Sequence, residues 1–181
     1  MHSTSTPIDL AQDSLAYTLA KRALDVSVSV LALLILGPLM AAIAIAIKLE
    51  SRGPALFGHV RLERGGNYFR CLKFRTMRTG AHDELVLDSE LQKRYVENDY
   101  KLPVDEDPRV TRFGRFLRRS SFDELPQLFN VLAGTMSLVG PRPVVPDELS
   151  WYEDRADKFL SVKPGITGVW QIQGRSRIGY P

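Results

Sequence analysis

The residues best suited to chemistry are an adjacent acidic pair, Asp123 and Glu124, in the run Ser120-Ser121-Phe122-Asp123-Glu124-Leu125-Pro126-Gln127-Leu128. A carboxylate can act as a nucleophile, and it can hold a hard divalent cation. Pro126 is best tolerated in the first turn of a helix, where its missing N–H is not needed. That places Asp123 or a close neighbour at a helix N-cap. Asp at a cap and Glu in a first turn also offset the helix macrodipole without any catalytic role, so a purely structural reading stands beside the chemical one. What favours chemistry is the company of the pair. A helix start stabilises an ionised carboxylate and attracts phosphate, and an arginine-rich run leads directly into it.

That run is Thr111 to Ser120, Thr-Arg-Phe-Gly-Arg-Phe-Leu-Arg-Arg-Ser. Helical spacing gathers Arg112, Arg115 and Arg118 or Arg119 on one side and Phe113, Phe116 and Leu117 on the other. Such a basic amphipathic helix suits a membrane interface with anionic head groups, and arginine's planar fork suits phosphate. A surface helix packing its phenylalanines on a core satisfies the same pattern. Further cations lie elsewhere. Alternation along Tyr68 to Met77 puts Lys73 and Arg75 on one strand face, where two cations can hold a diphosphate or simply face solvent. Arg142 is fixed between Pro141 and Pro143, and so loses little entropy on gripping an anion. Lys163-Pro164-Gly165-Ile166-Thr167-Gly168 is a second stiff turn, followed by Trp170 and Gly174-Arg175. No P-loop occurs. His82 beside Asp83 reads as structural, and no His or Cys joins the acids between Ala81 and Tyr100 to make a metal site.

The elements that must position these groups are legible in outline. The 181 residues are enough for one domain with a core; 44% are hydrophobic and 25% charged, an ordinary globular balance. A formal charge of only +3 argues against a nucleic-acid-binding polycation. The lone cysteine, Cys71, allows no intramolecular disulfide and fits a cytoplasm-facing domain. The apolar residues are concentrated in Val26 to Ile47, twenty-two residues without a charge, long enough for a transmembrane helix. This run is too long and starts too late for a signal peptide. Gly37-Pro38 sits at its middle, and Lys21, Arg22, Lys48 and Arg52 flank both ends. Basic residues on both sides suit a helix that enters the bilayer, breaks at Gly37-Pro38 and returns to the same face. A Pro-kinked span is the alternative. Residues 1–20 read as a polar tail, with a short helix available over Asp9 to Ala20. Ala55 to Leu62 and Tyr68 to Met77 read as a hairpin turning through Arg64-Gly65-Gly66-Asn67. Ala81 to Tyr100 reads as helix, then a loop through Pro103 and Pro108.

Taken in order, Lys21-Arg22-x-x-Asp25 before the Pro38-broken apolar run, Ser51-Arg52-Gly53-Pro54, Lys73-Phe74-Arg75-Thr76-Met77, Asp123-Glu124-Leu125-Pro126-Gln127-Leu128, Gly140-Pro141-Arg142-Pro143 and Lys163-Pro164-Gly165-Ile166-Thr167-Gly168 resemble the bacterial sugar transferase family, the small monotopic phosphoglycosyl transferases. The resemblance runs from about Lys21 to Arg175. Two features depart from it: His59 stands where members often carry Gln, and the chain stops at Pro181 where members continue with a further helical segment, which leaves a truncation open. The resemblance implies an α+β fold, a monotopic membrane domain with an N-terminal re-entrant helix over residues 21–50, interfacial amphipathic helices and a cytosolic catalytic domain over 51–181. It implies a chain at the cytoplasmic face of the bacterial inner membrane, in contact with membrane lipids, with a homodimer left open. It further implies that Asp123 attacks the sugar-proximal phosphate of a UDP-sugar and releases UMP. A covalent phosphosugar is then passed to a polyprenol phosphate such as undecaprenyl phosphate, an initiating step of exopolysaccharide or glycoconjugate assembly. Glu124 becomes the ligand of Mg2+, and Arg118, Arg142 and Lys73 become substrate-binding cations. A non-catalytic module that binds anionic lipid accounts for the apolar run and the arginine helix, but not for the acidic pair.

Overall fold

The apolar run forms the middle of one long helix, α1 (Leu15–Glu50), in the computed structural model, which describes residues 15–98 and 102–169. Asp25, Ser29, Met40, Ile43 and Ile47 are buried, and Ala32, Leu33, Leu36 and Gly37 are half-buried. These positions recur every three or four residues, so one stripe of α1 packs on the rest of the chain along most of its length. The opposite side carries exposed Leu24, Val28, Leu31, Leu34, Ile35, Leu39 and Ile45. A helix that is apolar on its outer face as well as its packed face suits lipid rather than water.

The expected break at Gly37-Pro38 is absent as an interruption of the helix, which continues through Pro38. Proline forfeits one backbone bond and crowds the preceding turn. Leu33 and Met40, on either side of it, are both anchored in the core, which keeps the flanking turns helical. The helix also takes in Leu15–Ala20, six residues of the expected tail; the earlier part of the expected Asp9–Ala20 helix lies outside the described residues.

After α1 comes the antiparallel hairpin of β1 (Leu56–Leu62) and β2 (Tyr68–Phe74), with Leu56 opposite Phe74 and Leu62 opposite Tyr68. The connecting turn needs positive φ at two successive residues, and Gly65 and Gly66 supply 82° and 81°. The segment expected as one helix from Ala81 is two, α2 (Ala81–Leu87) and α3 (Ser89–Glu97). Asp88 divides them because its carboxylate accepts from the N–H groups of Glu90 and Leu91 and so caps α3. The arginine helix is α4 (Arg112–Ser120), followed by a 3-10 turn, Phe122–Glu124, and then α5 (Gln127–Ala133). The short strands β3 (Ser137–Val139) and β4 (Gly165–Thr167) pair in parallel, and α6 (Ala156–Leu160) lies between them in sequence.

Two clusters hold these pieces together. Met40, Ile43 and Ile47 of α1 meet Ala55, Phe74 and Leu117, while Phe69 and Cys71 of β2 meet Val131 and Met136. The mixture of helices and small sheets is the expected α+β class.

Candidate functional site

Three elements converge on the acidic pair, and each is held by contacts that the sequence motifs supply. β2 presents Phe69, Cys71 and Lys73 on one face by alternation. The first two pack on the α5 side, so Lys73 is turned toward the residues that lead into α5. Asn130 of α5 reinforces this register. Its amide oxygen accepts from the Leu72 N–H at 2.9 Å and its amide nitrogen donates to the Arg70 carbonyl at 2.8 Å. One side chain thus serves the free edge of β2 as a neighbouring strand would, immediately beside Lys73.

The third element is α4. Thr111 caps it through the Gly114 N–H, and Glu50, from the end of α1, accepts from the Phe113 N–H. Gly114 is required by a close backbone approach: a Cβ there would lie 2.1 Å from the Thr76 carbonyl oxygen. The approach brings Arg118 over the end of β2, where its Nε donates to Thr76 Oγ1 at 2.8 Å.

At the meeting point, Lys73 Nζ donates to Glu124 Oε1 at 2.8 Å and stands 4.0 Å from Asp123 Oδ2. Asp123 is buried. Burial pushes its pKa above the usual aspartate value, Glu124 pushes in the same direction, and Lys73 and Arg118 pull it back. Arg118 is itself largely desolvated and feels the charges of Asp123 and Asp107. The arrangement is a desolvated carboxylate flanked by a second carboxylate and two cations, which suits nucleophilic attack on an anionic phosphorus centre.

Two expectations need correction. Asp123 is not at the N-cap of α5. Pro126 holds that position, and Asp123 lies in the preceding 3-10 turn, which Ser121 opens in the left-handed region at φ 61°. Because Leu125 and Pro126 keep helical angles, the chain passes from the 3-10 turn into α5 without a fresh start. Lys73 and Arg75 do not act as a pair. β2 ends at Phe74, and Arg75 is buried against the Ser51 and Arg52 carbonyls, where it ties down the chain leaving α1. Of the two arginines that could complete the basic side of α4, Arg119 is exposed like Arg112 and pairs with Asp105, while Arg118 turns inward to Thr76. On the other side, Leu117 is fully buried and Phe116 is half-exposed between Phe113 and Phe122.

Arg142 sits half-buried on the Gly140–Pro143 turn after β3. The glycines of this motif and of Lys163–Gly168 have a structural reason: a Cβ on Gly165 would stand 2.1 Å from the Gly140 nitrogen, so the two turns meet backbone to backbone. Trp170 and Arg175 lie outside the described residues.

Two anchoring groups were not legible as such. Arg22 donates to the Val131 and Leu132 carbonyls at 2.6 and 2.8 Å, satisfying the end of α5. Asp25 takes Lys21, the Ser137 hydroxyl and the Leu138 N–H. The signal was present in Lys21-Arg22-x-x-Asp25, since an acid four residues after a lysine on an apolar helix needs buried partners.

A magnesium ion demands oxygen ligands and keeps water or substrate phosphate in most positions. Among the described residues no group of three or more His, Cys, Asp or Glu could hold a metal by itself. Glu124, with phosphate oxygens completing the shell, suits that kind of ion; Lys73 now occupies its Oε1.

The bacterial sugar transferase family model matches residues 16–180, and the chain belongs to that family. It is 46% identical over 163 residues to the undecaprenyl-phosphate galactose phosphotransferase of Salmonella typhimurium, covering 88% of this chain and 34% of that protein. It is 47% identical over 162 residues to the undecaprenyl-phosphate glucose phosphotransferase of Komagataeibacter xylinus, covering 86% of this chain and 28% of that one. With the exopolysaccharide production protein ExoY of Rhizobium meliloti it shares 40% identity over 183 residues, covering 98% of this chain and 81% of that relative. The chain therefore spans about a third of the two larger relatives and most of the smaller one.

Proposed function

We propose that the chain transfers a hexose 1-phosphate from a UDP-sugar to a polyprenol phosphate at the cytoplasmic face of the bacterial inner membrane. The observation that carries this reading is the burial of Asp123 beside Lys73, Glu124 and Arg118. The named relatives act on undecaprenyl phosphate with galactose or glucose, which supports the acceptor and a hexose donor.

In the first displacement, an Asp123 carboxylate oxygen bonds to the sugar-proximal phosphorus. The bond from that phosphorus to the bridging oxygen breaks, and UMP leaves with the electron pair. In the second, a phosphate oxygen of the polyprenol phosphate bonds to the same phosphorus, and the Asp123 carboxylate departs unchanged. Lys73, Arg118 and Arg142 hold the phosphate oxygens, whose charge persists throughout. Glu124 would hold Mg2+, which would supply neutralisation of phosphate charge. Lys73, now paired with Glu124, would turn to the phosphates of the bound UDP-sugar.

We also place both ends of α1 on the cytoplasmic side, and its attachments support this. Both ends of α1 are fastened to one domain, through Arg22 and Asp25 at one end and Ile43 and Ile47 at the other. The acids and the soluble donor then share one compartment.

The test is a rapid quench of protein with labelled UDP-galactose or UDP-glucose, without acceptor, read by intact mass. Wild type is expected to carry one phosphohexose on the peptide containing Asp123, with stoichiometric UMP, and Asp123→Asn none. Turnover without an adduct, or an adduct on Asp123→Asn, would refute the covalent mechanism.

A further inference from the structure

Beside the acidic pair, a cavity of about 280 Å3 opens between the middle of α1 and the 3-10 turn. Ser121 and Glu124 line one part of it, and Ala32, Leu36, Leu125, Leu128 and Ile166 line the rest. Its lining is mixed: Ser121 and Glu124 come from the turn that carries Asp123, and the other residues are aliphatic. Next to Ala32 and Leu36 on α1 stand Leu31 and Ile35, both exposed on the apolar outer face of the helix. The cavity therefore lies between a flank of α1 next to its exposed apolar side and the residue following Asp123.

A larger space of about 400 Å3 lies on the other flank of α1, lined by Leu33, Met40, Leu56, Phe74 and Phe129 among others. It has no polar side chain in its wall. A free alkyl chain would suit it, but a lipid whose phosphate must reach Asp123 needs a polar end.

We infer that the smaller cavity seats the first isoprene units of the polyprenol phosphate, with its phosphate directed past Glu124 toward Asp123. This rests on the transfer reaction proposed above and adds the place of acceptor recognition. A polyprenol phosphate joins a dianionic head directly to an apolar, branched chain. The cavity offers aliphatic walls to the chain and opens beside Glu124, where Lys73, 2.8 Å from that carboxylate, supplies the countercharge that the phosphate needs. Burying the first units there anchors the phosphate, so affinity grows with chain length until the cavity is full and then levels off. Lateral entry from the bilayer, past Leu31 and Ile35, spares the chain any passage through water.

Two measurements test the assignment. First, wild-type protein in lipid nanodiscs is irradiated with a polyprenyl phosphate carrying a diazirine on its first isoprene unit, and the adducts are mapped. Adducts on Leu125, Leu128 or Leu36 are expected, competed by unlabelled polyprenol phosphate but not by excess phospholipid. Adducts confined to Leu56, Phe74 or the outer positions Leu34 and Ile35 would overturn the inference. So would labelling that phospholipid competes equally, which would make the cavity a general acyl groove. Second, Ala32→Phe, which fills the cavity, is expected to raise the acceptor KM at least tenfold and to flatten its dependence on chain length. Leu34→Phe, exposed on α1 away from that entry path, is the control and keeps that dependence. Retention of the wild-type chain-length profile by Ala32→Phe would overturn the inference. The UMP burst without acceptor separates the two levels: no burst from wild type refutes the transfer reaction, whereas a burst with no labelling of the cavity refutes only the acceptor site.

Discussion

Burial separates Asp123 from an ordinary surface aspartate. Water no longer solvates its charge, and Glu124 adds like charge, so the proton is held to a higher pH than the usual 3.8. Lys73 and Arg118 oppose this without cancelling it. Two consequences have definite signs. The proposed attack needs the carboxylate, so the single-turnover rate is expected to rise with pH through the raised pKa, with its acid limb above the usual aspartate value. Lys73→Met removes the largest lowering influence and is expected to move that limb to still higher pH while cutting the plateau rate at least tenfold. A stopped-flow pH profile of UMP release would check both; an unmoved limb would mean that Lys73 does not act on Asp123. For stability, a carboxylate with a raised folded pKa weakens the fold as pH climbs from its unfolded value through its folded one. Asp123→Asn therefore melts higher than wild type at neutral pH, and the difference closes on acidification. The acidic pair was legible as an adjacent couple beside Pro126, but its setting was not. Left-handed Ser121 and the 3-10 turn arise from packing of Phe122 and Leu125 on the α1 core, a contact remote in sequence.

Among the elements, local patterns were legible and long-range ones were not. Alternation and Gly65-Gly66 sufficed for the hairpin because its partners are neighbours in sequence. The pairing of β3 with β4 involves three residues on each side and joins segments far apart, which leaves no periodicity to read. The spread of arginines on α4 was likewise decided by what the helix lies against, above all at Gly114. That contact yields a contrast between two glycines in helices. Gly114→Ala places a methyl group 2.1 Å from the Thr76 carbonyl oxygen. The helix must move away, at a cost of about 3 kcal/mol, the upper end of ordinary overpacking. In a domain of this size that lowers Tm by roughly 10 °C, and displacement of Arg118 lowers kcat/KM at least tenfold. Gly37→Ala has open space around its Cβ and is expected to leave Tm unchanged or slightly higher. Thermal melts of both variants in one detergent would show the difference; equal melting temperatures would mean that α4 is not held by this approach.

For the molecule as a whole, the decisive feature is that a helix long enough to cross a bilayer has both its ends fastened to the same domain. From Asp25 to Ile47 an α-helix covers roughly 33 Å at 1.5 Å per residue, about the ~30 Å of a hydrocarbon core. Were α1 to span, Arg22 would abandon the end of α5 and Asp25 would lose Ser137 and Leu138, leaving a lysine, an arginine and an aspartate to cross to the far side. The positive-inside tendency opposes the same movement. Composition alone suggested return to the same face through a break at Gly37-Pro38, whereas the attachments at Arg22 and Asp25 hold the N-terminal end to the domain without one. Pro38→Ala by itself is therefore expected to leave the orientation unchanged. Arg22→Leu combined with Asp25→Leu removes the attachments and the charges together and is expected to let part of the population span. The readout is a cysteine placed at exposed Thr18. Cys71 needs no replacement, because burial pushes its thiol up to about 11 and keeps it protonated and inaccessible. In spheroplasts, a membrane-impermeant maleimide should spare Thr18→Cys in the otherwise wild-type chain and in Pro38→Ala, and modify it after lysis. The double Leu variant should be labelled in part before lysis. Labelling of the wild-type chain in intact spheroplasts would mean that α1 spans, and the attachments at Arg22 and Asp25 would then have no place in the membrane-bound protein.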